Sequence, residues 1–149
     1  MASNVIESAT QSRRTWDSAP VSTPMKLSAL WASFMFLYAY VDILAFFKPG
    51  TIEDILQGRV WEFDISQGWA LGALVLVTIP GLMVFLSLAL PARAARWTNV
   101  VVAALYVPVS IGNVLGEAWI YYYWFGAAVE VALLLLIIRY SWTWPRRVD

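Results

Sequence analysis

Four apolar stretches, Leu27–Phe47, Gln67–Leu90, Trp97–Leu115 and Ala118–Tyr140, constrain this chain more than any other feature. Each is close to the roughly 20 residues that an α-helix needs to cross a bilayer. Hydrocarbon offers no water to satisfy backbone N–H and C=O groups, so stretches of this kind must close their hydrogen bonds internally, as helices. The expected fold class is therefore all-α: a polytopic membrane protein with a four-transmembrane-helix antiparallel bundle. Composition agrees, since 60% of the residues are apolar and 13% charged, against about half and a quarter in an average soluble domain.

The polar remainder sets the domain plan. Residues 1–24 are broken by Pro20 and Pro24, lack an apolar period, and are expected to form a disordered cytoplasmic tail. Residues 25–144 form the membrane domain and residues 145–149 a second cytoplasmic tail. Ser12-Arg13-Arg14 ahead of an apolar stretch faintly resembles a twin-arginine export signal. The stretch that follows is long and has no small-residue cleavage site, so it is expected to stay in the protein as a span.

Basic residues give the orientation. With the N-terminus inside, Arg13, Arg14, Lys26, Arg93, Arg96, Arg139, Arg146 and Arg147 all lie on the inner side, and only Lys48 and Arg59 lie outside. That split satisfies the positive-inside rule with both termini cytoplasmic, in a plasma (inner) membrane. Trp31, Trp97, Trp142 and Trp144 then fall near the inner interface, with Trp69, Trp119 and Trp124 near the outer one, as in aromatic belts. The aromatic run at 121–125 belongs to that outer belt or, on the less favoured reading, stacks a flat ligand.

Short links at Pro91–Arg96 and Gly116-Glu117 imply that spans two and three, and three and four, are antiparallel neighbours. Pro80 and Pro108 should mark kinks. The outer loop, residues 48–66, is patterned. Thr51 and Asp54 have the spacing of a capping box before a short helix ending at Gly58, and Trp61, Phe63 and Ile65 alternate with acids as in an extended strand. The loop is either a lid over the outer mouth or an interfacial segment dipping into headgroups. Gly68 and Gly72, and Gly112 and Gly116, form two GxxxG pairs, expected to permit close helix packing in the outer half or contact with another chain.

Within the spans two acids stand out, Asp42 and Glu130, with no basic residue at their depth. Ionisable groups inside a span normally face a bundle interior or a water-filled cavity. At about 1.5 Å per residue, Asp42 is roughly 7–8 Å deep from the outer end of its span and Glu130 roughly 18 Å deep. On the same ruler Tyr38, Ser110 and Tyr123 accompany Asp42, Asn113 is shallower, and Thr78 and Tyr106 accompany Glu130. Two polar stations are thus expected. Glu130 is either a protonated, hydrogen-bonded contact to Thr78 or Tyr106, or a proton or ligand site. Asp42 is either a solvated acid loosely paired with Lys48, or part of an outward-facing cavity. A paired-carboxylate hydrolase is disfavoured by this separation.

The chain has no cysteine and no histidine, which removes thiol nucleophiles, imidazole catalysis and the usual zinc sites. No metal or cofactor is implied, and no nucleophile or phosphate-binding motif is present. The composition points away from an enzyme. Expected partners are the lipid bilayer and either a second copy or another membrane protein, with no nucleic acid.

Leu37-Tyr38 with Asp42, Ile65-Ser66-Gln67-Gly68, Ile79-Pro80, Arg96-Trp97-Thr98-Asn99, and Tyr121-Tyr122 with Glu130 together resemble an uncharacterised family of small bacterial four-span membrane proteins. The overall plan is similar to that of DoxX-like proteins. Members of that family often carry an acid just before the Ile-Pro pair, where this chain has Thr78, so the resemblance does not imply a third buried acid. The plan also resembles claudin-like proteins, but the cysteine pair of their first outer loop is missing.

Two functional expectations lead. One is binding or passage of a small ligand or proton through the bundle, by way of Asp42, Glu130, Tyr38, Thr78, Tyr106, Ser110 and Asn113. The other is a non-catalytic subunit that docks a membrane protein through the GxxxG faces and the outer loop.

Overall fold

The computed structural model describes residues 20–144; of the expected tails at 1–24 and 145–149, residues 1–19 and 145–149 lie outside the described residues, while Thr23 and Pro24 belong to the first long helix and not to a tail. Helix α1 (Thr23–Ala45) leads through a short helix α2 (Thr51–Leu56) and a hairpin of β1 (Arg59–Val60) and β2 (Phe63–Asp64) into α3 (Gln67–Ala89), α4 (Ala92–Gly112) and α5 (Ile120–Trp142). The four long helices, of 21 to 23 residues, are each long and apolar enough to cross a membrane. The protein is an all-α four-helix bundle with a structured first loop.

Helix ends differ from the hydropathy limits for local reasons. Helix α1 begins at Thr23 because Pro24 sits in its first turn, where a missing N–H is not needed. Helix α4 begins directly after Pro91, so Arg93 and Arg96 are helical and the short basic turn shrinks to Leu90-Pro91. The same helix stops at Gly112. Residues 113–119 then form a turn, longer than the two-residue link expected, in which Gly116 adopts φ +87°, a conformation open to glycine.

Helix α1 packs against α3 and α5, α4 packs against α5, and the α3–α4 seam is the lightest of the four. Ser28 Oγ donates to Val84 O at 2.8 Å, Tyr122 OH to Val41 O at 2.7 Å and Arg96 Nη2 to Trp142 O at 3.1 Å. Each bond ties the start of one helix to the end of another, so these neighbours are antiparallel.

The buried apolar residues gather toward the end where Pro20, Trp144 and the α3–α4 link lie, here the termini end. Leu27, Trp31, Phe34, Met83, Leu134 and Ile137 are each at most 1% exposed. Phe34 meets Trp31 and Tyr106 edge-on, with ring centroids 5.8 and 6.1 Å apart. Phe36, Phe85, Leu105 and Phe125 stay exposed on the outside, as expected of helices that are apolar all round and meet lipid.

One polar network is locked into this core. Asn99 Oδ1 accepts from Trp31 Nε1 at 2.7 Å, and Asn99 Nδ2 donates to Ala95 O at 2.8 Å. Ser87 Oγ lies 2.6 Å from Met83 O and 3.0 Å from Asn99 Oδ1, sharing its proton between them. A buried amide is tolerated when its groups are paired in this way.

Helix α3 runs through Pro80 and α4 through Pro108 without interruption. A proline cannot donate to the carbonyl four residues back. For Pro80 that carbonyl belongs to Leu76, and the hydroxyl of Tyr106 donates to it. Glycines behave differently from the motif reading. A Cβ at Gly72 or Gly112 would meet nothing within 4 Å, whereas at Gly126 it would lie 2.9 Å from Val41 Cγ2. Within the chain, the close helix approach is therefore between α5 and α1 at Gly126, not at the GxxxG pairs.

Candidate functional site: the loop-end cavity

The opposite end of the bundle is open. A cavity of about 1000 Å³ reaches from the hairpin down between all four long helices. Helical spacing aims the side chains into it. Tyr38 and Asp42 are four residues apart on α1, Ser110 on α4 is three before Asn113 at its C-cap, and Tyr123, Ala127 and Glu130 recur at four and three on α5, which in each case is one helix face. Gly68, Trp69, Gly72, Ala73 and Leu76 supply the α3 wall.

Asp42 and Glu130 line this one cavity, so the two stations expected from depth are a single site. Asp42 is exposed to it from the side, while Glu130 is 4% exposed at its floor. Ser110 faces Glu130 rather than sitting a layer above it; its Oγ is buried and makes no well-formed hydrogen bond. Asn113 Nδ2 donates to Tyr38 OH at 3.1 Å, which fixes the tyrosine ring across the cavity.

Thr78 and Tyr106 do not partner Glu130. Thr78 is exposed on the outer surface of α3 and returns its hydroxyl to Leu74 O at 2.7 Å, the local back-bond open to a helical threonine. Tyr106 is engaged by Leu76. Of the expected path residues, Asp42, Glu130, Tyr38, Ser110 and Asn113 meet in the cavity; Thr78 and Tyr106 lie outside its lining.

Lys48 does not pair with Asp42 either. It binds Glu117 at 2.6 Å and stands 5.4 Å over the Tyr123 ring. The hydrogen bond that Lys48 donates to Glu117 stabilises the ammonium and raises the Lys48 pKa, against a smaller opposing effect of burial. Arg59 pairs with Asp54 at 3.4 Å. Among the described residues, neither Asp42 nor Glu130 has a cationic partner.

The roof is built by the loop. Gly50, at φ +88°, caps α2 without any side-chain bond, so the Thr51–Asp54 capping box does not form. The alternating segment folds back as a hairpin pairing Arg59 with Asp64 and Val60 with Phe63. Trp61 at its tip takes φ 57°, uncommon for a bulky residue. Its ring packs 6.1 Å from that of Phe63, and its edge lies 3.7 Å from where a Cβ of Gly116 would be. Trp61, Glu62 and Phe63 line the mouth, the position of a lid.

Two of these features do leave a signal in the sequence. A proline implies a freed carbonyl four residues earlier, and Lys48, one of two basic residues on a side rich in acids, has Glu117 on the same side. Gly126 has no second glycine at motif spacing and left no signal.

Residues 16–148 match the family described as a family of unknown function, DUF6326. No curated protein and no solved structure matches the chain.

Proposed function

Because this chain belongs to the DUF6326 family, a family without an assigned activity, we propose its function from the bundle itself: binding of a small ligand in the loop-end cavity, with Asp42 and Glu130 as its polar contacts. The observation that carries this reading is the cavity of about 1000 Å³ that brings both acids together beneath a hairpin roof. Small-molecule sites are commonly about 300–1,000 Å³, largely apolar, with a few convergent polar groups. In the proposed topology the termini are cytoplasmic and the cavity opens outward, as the basic residues direct.

Binding is favoured over passage because the termini half is filled. Phe34, Leu134 and Ile137 are fully buried below the cavity, so a transported species or proton has no open route beyond Glu130 in this conformation. Native mass spectrometry of the gently extracted protein tests the reading. A retained small molecule, lost in Glu130→Gln and Asp42→Asn, is the expected result. Protein that retains nothing, together with no Glu130-dependent binding or flux after reconstitution, refutes it.

A second reading, docking of another membrane protein or a second copy, is supported by the open space beside Gly112, which lies outside the cavity lining. It predicts that Gly112→Leu changes the oligomeric state and leaves ligand retention intact.

A further inference from the structure

The polar inventory of the cavity is one-sided. Of its cations, Lys48 is held by Glu117 and Arg59 by Asp54. Asp42, Glu62 and Glu130 line the same space without a basic partner among the described residues. At the floor, Ser110 is 0% exposed and its Oγ has no hydrogen-bond partner, beside a Glu130 that is 4% exposed. That hydroxyl is closed off and faces Glu130, whose carboxylate it can turn toward. What the cavity lacks, among the described residues, is a free cation: its unpaired charged groups are all carboxylates.

We propose that the occupant is a small organic cation, a protonated amine with an apolar body, whose ammonium is held at the floor by the Glu130 carboxylate with Asp42 above it. The inference rests on the cavity being a ligand site and adds its chemical class. An ammonium brings up to three N–H donors, and the oxygens of the two carboxylates supply acceptors for them. A bare metal ion fits less well, since no group of three acidic, histidine or cysteine side chains comes together among the described residues. The walls match the rest of such a molecule: Val41, Leu76 and Ala127 are aliphatic, and Trp69 and Tyr123 present rings, whose faces attract cations.

The test compares two probes that differ in charge alone, phenylpropylamine and phenylpropanol, on the full chain in lipid nanodiscs, with empty nanodiscs as the partitioning blank. Binding is read by calorimetry and by fluorescence of Trp61 and Trp69, which both line the cavity. The amine should bind roughly tenfold or more tighter than the alcohol, as charge-assisted hydrogen bonds outweigh neutral ones. That preference should collapse in Glu130→Gln and shrink in Asp42→Asn. Should Glu130→Gln fail to fold, the wild-type comparison and Asp42→Asn decide alone, since Asp42 is exposed and has no ion-pair partner among the described residues for the fold to lose. Equal binding of the two probes overturns the cation assignment while leaving a ligand-binding cavity. A preference that survives in every folded variant overturns the floor site. If neither probe binds and nothing is retained on extraction, the cavity reading itself falls.

Discussion

The hydroxyl of Tyr106 on α4 donates to the carbonyl of Leu76 on α3, the acceptor that Pro80 leaves without its helical donor. One side chain thus mends a helix and binds the lightest seam of the bundle. Tyr106→Phe should lower stability by about 0.6–1.7 kcal/mol, the range of measured interhelical hydrogen bonds in membranes. In a Pro80→Ala background the amide returns, so the same Tyr106→Phe change should cost much less. Unfolding of the four proteins in detergent, read as a double-mutant cycle, checks this; equal costs in both backgrounds would refute the link.

The glycines should divide sharply. Gly126→Ala places a Cβ 2.9 Å from Val41 Cγ2, and relieving that overlap should cost about 1–3 kcal/mol. Gly72→Ala and Gly112→Ala, with open space beside them, should be neutral or slightly stabilising. Melting temperatures of the three variants give the answer directly.

Asn99 is the acceptor for both Trp31 and Ser87. Asn99→Ala leaves the buried Trp31 indole N–H without its acceptor, at about 1–3 kcal/mol, while Ser87 keeps Met83 O. Adding Trp31→Phe should recover part of the loss by removing one orphan. Thermal unfolding of the single and double variants measures it.

The pairing of Lys48 with Glu117 should be sensitive to alkali. The Lys48 pKa is raised by its hydrogen bond to Glu117, so its contribution to stability is complete below the ordinary lysine value of 10.5 and is lost as pH rises through the higher folded value. Glu117→Gln should bring the loss to lower pH. Limited proteolysis of the loop, residues 48–66, across pH 9 to 12 should show earlier cutting in the variant than in the wild type.

How far the sequence reached depends on the scale of each interaction. The four spans were legible because each rests on some twenty side chains acting together. The acids Asp42 and Glu130 stood out for the same reason, as exceptions to a uniform background. Their meeting was not legible, because a depth ruler measures one axis and the cavity slants across α1 and α5. Lys48 escaped Asp42 because its better partner, Glu117, is far away in sequence and near only once α1 and the α4–α5 turn have met.

The seams described above also divide the chain into two halves. Helices α1 and α3 form one antiparallel hairpin and α4 and α5 another, and α1 against α5 is the larger contact between the two. Neither hairpin is finished alone. The Leu76 carbonyl of the first is met by Tyr106 of the second, and Asn99 of the second by Trp31 of the first. A chain opened at Leu90-Pro91 and made as two fragments should regain the bundle on co-expression, while each fragment alone is left to quality-control proteases.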